Sequence, residues 1–237
     1  AAWVEVITTA HSWIATAETI TQAGGRVVFA DTDEATCTID PEDVARKITP
    51  RTKGLVPVHL FGQAADMDPL MELARRHRLW VVEDCAQAHL ARYRGRTVGT
   101  FGAMATFSFY PGKNLGAMGD AGCLLTDDDR LAAFAASFAR HGGRSKGEHE
   151  MEGINSRLDG LQAAVLNVKL PHLPAWTRAR QALAREYDRR LAGVGDLVLP
   201  AVGAGREHVY HLYAVRTSRR GALREHLQAQ GVQTQIN

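Results

Sequence analysis

Two residues in this chain are placed to do chemistry that their neighbours cannot. Asp84 follows the apolar run Trp80-Val81-Val82, and Lys113 lies in Tyr110-Pro111-Gly112-Lys113-Asn114, just past the run Ala105 to Phe109. Lysine and arginine together number 28, yet only residues 47, 53, 113, 146 and 169 are lysines, so arginine is used where a bare positive charge suffices. Arginine keeps its proton in a protein, whereas lysine can shed it, attack a carbonyl and form a Schiff base. Ser108, five residues before the lysine, adds a hydroxyl. Taken singly, an Asp after a strand is ordinarily a turn or cap residue, and a loop lysine is ordinarily solvated. Together they offer a hydroxyl for a phosphate, an amine for an aldehyde and a carboxylate for a pyridinium, the three handles that pyridoxal phosphate needs.

Such residues work only if the backbone brings them to one edge. Short apolar or β-branched runs predict strands at Val4 to Ile7, Val27 to Ala30, Gly54 to Val58, Trp80 to Glu83, Ala105 to Phe109 and Gly122 to Thr126. Helix-length segments alternate with them, which predicts an α/β fold built on a mostly parallel sheet. In such a sheet ligands gather at the carboxyl ends of the strands, where Asp84 and Lys113 both fall. Asp40-Pro41 and Asp68-Pro69 each set a capping Asp before a Pro at the first helical position. Thr126 with Asp129 reads as a capping box for the amphipathic run Leu131, Phe134, Ala135, Phe138. Residues 141–149 lack periodicity and predict a loop. Leu158, Leu161, Val165 and Val168 predict a helix ending before Pro171, and Trp176 to Leu191 a long one that links two domains. A strand at Tyr210 to Arg216 and a helix at Ala222 to Gln230 then open a smaller α+β domain.

With 237 residues, 45% hydrophobic and 23% charged, the composition excludes disordered, collagenous and membrane classes. A net charge of +2 supplies no basic stripe for nucleic acid, so the expected partner is a small molecule. Cys37, Cys85 and Cys123 are odd in number and lack metal-ligand spacing, which predicts buried, reduced thiols in a cytoplasmic protein and no metal site. His59, His89, His141 and His149 likewise lack ligand spacing and read as loop or core histidines. No apolar run is long enough to span a bilayer, and no signal peptide precedes the first strand. The opening Ala1-Ala2-Trp3, without a methionine, and the ending Gln235-Ile236-Asn237, where a strand-like segment has just begun, predict a fragment of a longer chain.

The stretch VVEDCAQAHLARYRGRTVGTFGAMATFSFYPGKNLGAMGDAG, with GINSRLDGLQAA after it and HSWIATAETI, DTDEATCTIDPE and ITPRTKGLVPVHLFGQAADMD before it, resembles the DegT/StrS family of sugar aminotransferases. Nearly the whole chain takes part. The resemblance implies a fold type I transferase that uses pyridoxal 5'-phosphate and works as a homodimer with shared active sites. It implies a chain truncated at both ends: a large cofactor domain at 1–170 without its N-terminal part, a linking helix at 171–192 and an incomplete small domain at 193–237.

Carried over position by position, Lys113 matches the lysine that bonds to the cofactor and shuttles the substrate proton. Asp84 matches the aspartate that keeps the pyridine nitrogen protonated, and Gln87 the contact to the ring hydroxyl, with a polar residue on a following helix as its plain alternative. Ser108 matches a phosphate ligand or, more plainly, a buried strand serine. Trp13 aligns with the aromatic that stacks on the pyridine, its rival reading being core packing. Asn155 resembles an asparagine that crosses from a second subunit to the phosphate, against a turn residue preceding a helix. Leu90 stands where the family usually has glycine, and its side chain is expected to crowd the turn. The motifs are most similar to those of enzymes that aminate C3 of a dTDP-linked 3-keto-6-deoxyhexose, with L-glutamate as donor; Ser156 replaces the tyrosine common in enzymes acting at C4. The alternatives are a catalytically incompetent truncated homologue, or an aminotransferase for 4-keto sugars or inososes.

Overall fold

The computed structural model describes residues 3–145 and 147–237; Ala1, Ala2 and Lys146 lie outside the described residues. Strands β1 (Glu5–Thr9), β2 (Arg26–Ala30), β3 (Thr52–Val56) and β4 (Trp80–Asp84) are followed by a small hairpin, β5 (Arg92–Tyr93) and β6 (Arg96–Thr97). Next come β7 (Met104–Ser108) and β8 (Gly122–Leu125). All six predicted strands form, each end within two residues of expectation. They make one sheet in the order β2-β1-β3-β4-β7-β8, parallel through β7, with β8 antiparallel at the edge. Parallel pairing demands long crossovers; helices supply the first three, and the segment with the β5–β6 hairpin carries the chain from β4 to β7.

The connecting helices are α1 (Ile14–Gln22), α2 (Pro41–Lys47) and α3 (Met67–His77), and α4 (Asp129–Phe138) follows β8. Asp40 caps α2 as expected, its side chain accepting from the Glu42 amide. Two other starts differ from the sequence reading. Helix α3 begins at Met67 after Asp66, which leaves Pro69 inside the first turn, where a missing amide costs nothing. Asp128, not Thr126, caps α4: Asp128 Oδ1 accepts from the amides of Arg130 and Leu131, while Thr126 Oγ1 donates to the carbonyl of Ala103.

The expected loop at 141–149 is instead a small ribbon, β9 (Gly143–Ser145) against β10 (Glu148–His149). Gly147, at φ +90°, supplies the turn that periodicity cannot reveal. Helix α5 (Gly160–Lys169) ends before Pro171 as predicted, a 3-10 turn at Leu170–His172 follows, and α6 (Leu173–Leu191) runs 19 residues. The strand expected at Tyr210 to Arg216 does not form. Tyr210 has φ +46° and gives its amide to His208 Nδ1, a local bond that competes with a ladder; only Arg216 pairs, as a single bridge with Val198. Instead β11 (Arg206–Glu207) joins β5, and α7 (Arg220–Ala229) follows. Residues 232–237 form no strand.

The main core lies under the sheet around Ile7, Leu55, Met67, Leu70, Val81 and Ala105, and Val209 from the C-terminal part joins it. Of the cysteines only Cys85 is fully buried; Cys37 and Cys123 are half-buried, and Cys37 sits in a turn at φ +58° rather than in a strand. Among the described residues no helix is long and apolar enough to cross a membrane.

Candidate active site

Strands β4 and β7 are neighbours, with Asp84 opposite Thr106, so their carboxyl ends open at one edge of the sheet. A cleft of about 1710 Å³ lies there, lined by Ser12, Trp13, Asp84, Gln87, Ser108 and Lys113 among others. Five of the six predicted site residues thus share one cavity. Asp84 is held from every side. Its amide donates to the Pro57 carbonyl at 2.9 Å, and its carbonyl accepts from His59 N at 3.0 Å. Its Oδ1 accepts from Ala86 N at 3.1 Å and its Oδ2 from Thr16 Oγ1 at 2.8 Å. Thr16 has a single hydroxyl hydrogen, so in its 2.7 Å contact with Ser12 Oγ the serine is the donor. Two hydroxyls therefore feed the carboxylate in one direction.

Lys113 is half-buried in the turn after β7, its amide bonded to the Tyr110 carbonyl at 2.9 Å. Burial lowers the proton affinity of its amine, and the negative charge of Asp84 partly opposes that shift. The result is an amine more readily freed of its proton than a surface lysine. Trp13, at the start of α1, is 77% exposed on the cleft, which rules out the core-packing reading and leaves a flat apolar face available. Ser108 is half-buried at the cleft wall rather than enclosed in the sheet, and its Oγ accepts from Tyr110 N at 3.2 Å.

Gln87 lies in a turn, since no helix follows β4; its Oε1 accepts from Phe61 N at 2.6 Å. That bond fixes Phe61 at φ +59° and leaves the Gln87 amide nitrogen as a donor at the cleft wall. Asn155 is not brought into the cleft. It is exposed, bridges to Arg140 and accepts from Arg157 Nε at 3.0 Å, while its neighbours Ile154 and Ser156 do line the cavity. His141 and His149 are exposed, and a ring nitrogen of His149 bonds the His141 carbonyl.

The sequence reading missed the residues that support these. Thr16 and Ser12 carried a signal only in their position after β1. Glu83, completely buried, accepts from His59 Nε2 and from the amides of Gly99, Phe101 and Gly102 at 2.7 to 3.0 Å. With Cys85 these residues make a tight buried group, but His59 Nδ1 already accepts from Ala65 N, so both ring nitrogens are in use for the fold. His89 is buried between Phe107 and Phe109 with neither ring nitrogen in a well-formed hydrogen bond; burial, then the charge of Lys113, pull its pKa down to about 4.

The DegT/DnrJ/EryC1/StrS aminotransferase family profile matches residues 3–237. The chain belongs to that family. It is 49% identical over 230 residues to the dTDP-3-amino-3,4,6-trideoxy-alpha-D-glucose transaminase of Streptomyces venezuelae, covering 97% of this chain and 61% of that protein. The crystal structure of S. venezuelae DesV in complex with a ketimine intermediate superposes with a TM-score of 0.94, again at 49% identity, over 97% of this chain and 62% of that one. Bacillus subtilis NtdA, solved with bound cofactor PMP, gives 0.89 at 34% identity over 98% of this chain and 54% of that one. The chain thus spans about three fifths of the length of the curated relatives it matches. The fold is that of the family's solved structures, with the mostly parallel sheet and flanking helices expected.

Proposed function

We propose that the protein transfers an amino group to a nucleotide-linked keto sugar with pyridoxal phosphate, in the biosynthesis of deoxyamino sugars. The residues on the cleft fit that cofactor: an acceptor carboxylate with fixed orientation, a readily freed amine, an uncovered indole face and a hydroxyl, all at one sheet edge. Bound there, pyridoxal phosphate supplies the electron sink that makes a C–H bond beside nitrogen acidic. Asp84 holds a proton on the ring nitrogen by charge and hydrogen bonding, Trp13 stacks on the ring, and Ser108 takes the phosphate. Gln87 offers its amide hydrogen to the ring hydroxyl. Lys113 anchors the cofactor aldehyde and carries the proton at the reacting carbon through its Nζ.

The observation that carries this reading is the half-buried Lys113 amine at the same strand edge as Asp84. Borohydride reduction with added pyridoxal phosphate, followed by peptide mapping, is expected to place the label on Lys113. Recovery on Lys47, Lys53, Lys146 or Lys169 overturns the assignment, and Lys113→Ala is expected to abolish amino transfer.

The preferred substrate in this reading is a dTDP-3-keto-6-deoxyhexose, with L-glutamate as donor. Similarity to the Streptomyces transaminase supports it, as does the small Ser156 on the cleft wall where a tyrosine would narrow the entry. Parallel assays with 3-keto and 4-keto dTDP-hexoses, with the product identified by NMR, test it: turnover of the 4-keto sugar alone refutes the C3 assignment and leaves amino transfer standing. The working form is a cytoplasmic homodimer in which Asn155 reaches the second copy's phosphate site. Residues 1–170 form the cofactor unit, α6 the link, and 193–237 the start of a second unit leaning on the first through Val209.

A further inference from the structure

The segment 208–212 crosses back over the cofactor unit and is pinned at several points. Val209 N donates to the Gly62 carbonyl at 2.9 Å, Arg180 Nη1 to the Tyr210 carbonyl at 3.1 Å, and Gln181 Nε2 to the His208 carbonyl at 3.1 Å. The crossing places His211 on the cleft wall, in the same cavity as Lys113 and Trp13. Asn114, the residue after Lys113, is buried and clamped to this segment: its Nδ2 donates to the Val209 carbonyl at 3.1 Å.

That bond settles which way the Asn114 amide points. Its Oδ1 then faces His211 Nδ1 at 3.3 Å, and an oxygen can only accept, so Nδ1 carries the hydrogen. Burial, then the charges of Lys113 and Arg180 and the nearby His89, hold the His211 pKa down to about 4, so the ring is neutral near pH 7. A neutral ring protonated at Nδ1 has a bare lone pair at Nε2. Nε2 makes no hydrogen bond among the described residues and is not one of the buried orphan atoms, so it opens to the cleft the ring lines.

We infer that His211 is a specificity residue for the amino acceptor: its Nε2, presented as an uncharged lone pair beside Lys113 by the Asn114 clamp, accepts a hydrogen bond from a sugar hydroxyl of the substrate. The inference rests on the proposed function and adds to it a division between the two half-reactions. A lone pair attracts a hydroxyl hydrogen and repels a carboxylate, so the polyhydroxylated acceptor gains from His211, whereas the donor's carboxylates do not and its amine is the group that reacts at the cofactor.

The two half-reactions can be followed separately by cofactor absorbance in the loaded enzyme. His211→Ala is expected to raise the KM for the keto sugar about three- to tenfold, the value of one neutral hydrogen bond, while the glutamate half-reaction stays within about twofold. His211→Gln, which restores an acceptor oxygen, is expected to recover most of the loss. An equal slowing of both half-reactions, or an unchanged sugar KM, overturns the inference and leaves amino transfer intact. A failed glutamate half-reaction in the unaltered enzyme strikes the proposed function instead. Independently of turnover, nitrogen NMR of histidine-labelled protein at pH 7 is expected to show His211 with its hydrogen on Nδ1 and with an Nε2 resonance that shifts on adding the dTDP-sugar. A hydrogen on Nε2 refutes the proposal.

Discussion

Asp84 has two carboxylate oxygens, and each already receives a hydrogen bond from the chain, from Thr16 to Oδ2 and from Ala86 to Oδ1. A carboxylate that must also hold a proton on a ring nitrogen needs a fixed plane, and the Thr16 hydroxyl supplies it from the first turn of α1. Thr16→Val keeps the shape and removes that donor. A hydrogen bond to a charged group is worth about 1.5 to 3 kcal/mol, so the variant is expected to bind pyridoxal phosphate at least several-fold more weakly in an absorbance titration. Thr16→Ser is expected to bind normally; equal losses in both variants would mean that packing rather than the hydroxyl matters. Leu90 gives a second test at this scale. It adopts φ +70°, yet its side chain is 39% exposed, so the strain is in the backbone and not in crowding of the turn, contrary to the sequence expectation. Leu90→Gly is expected to stabilise the fold by about 1 kcal/mol in urea unfolding, the cost of a left-handed side-chain-bearing residue. That Asp84, Ser108 and Lys113 share one sheet edge was legible in the sequence because each lies at or just past the end of a strand whose pattern is plain, whereas Trp13 was singled out only by the family resemblance. Thr16 and His211 were not, because one is an ordinary helix threonine and the other owes its place to a crossing that no local pattern encodes.

The strands that carry these residues are held in register beside one another because Glu83 ties three elements together. It receives the ring of His59 from the turn after β3 and three amides from the 99–102 turn that leads into β7, so the end of β4 and the start of β7 are fixed by one buried carboxylate. Burial alone would raise its pKa; the hydrogen bond from the His59 ring, followed by the amides of Gly102 and Gly99, outweighs it and holds the carboxyl below its ordinary value, with His59 neutral because its Nδ1 accepts from Ala65 N. The sign follows from linkage. A group with a depressed folded pKa contributes stability above its unfolded pKa, and the contribution is lost as pH falls through the folded value. Stability measured by urea should therefore fall on acidification below about pH 4.5, and Glu83→Gln should flatten that acid limb while costing about 3 kcal/mol at pH 7. An unchanged acid limb in the variant would assign the pH dependence to other carboxylates. Elements of this sort are half legible: apolar runs located the strands, but nothing in the spacing of Glu83, His59 and Gly99 shows that they meet. The ribbon at β9 and β10 and the broken strand at Tyr210 were hidden for a related reason, since both depend on single backbone angles.

At the scale of the whole molecule, most of the apolar stripe that predicted helix α5 faces outward. Leu161 is 73% and Val168 70% exposed, and Ile154, Leu158, Phe134 and Phe138 carry uncovered apolar surface along the cleft wall. Periodicity reports that a face is apolar, not what covers it, and surfaces of this kind mark association sites. Asn155 is exposed in this region and does not line the cleft of its own chain, although its neighbours Ile154 and Ser156 do. Subunit mixing tests the arrangement. In a dimer of one Lys113→Ala copy and one Asn155→Ala copy, the first copy's site has lost its lysine and also the asparagine that would reach it. The other site has its own Lys113 and an intact Asn155 from the Lys113→Ala copy. With random exchange half the dimers are mixed and one site in each is complete, so about a quarter of the unaltered activity should return at limiting cofactor. Asn155 is exposed, so its loss leaves the fold intact, and each variant alone should remain dimeric by sedimentation. If the mixture gives only the average of the two separate activities while subunits exchange, Asn155 acts within its own chain and the shared site is refuted.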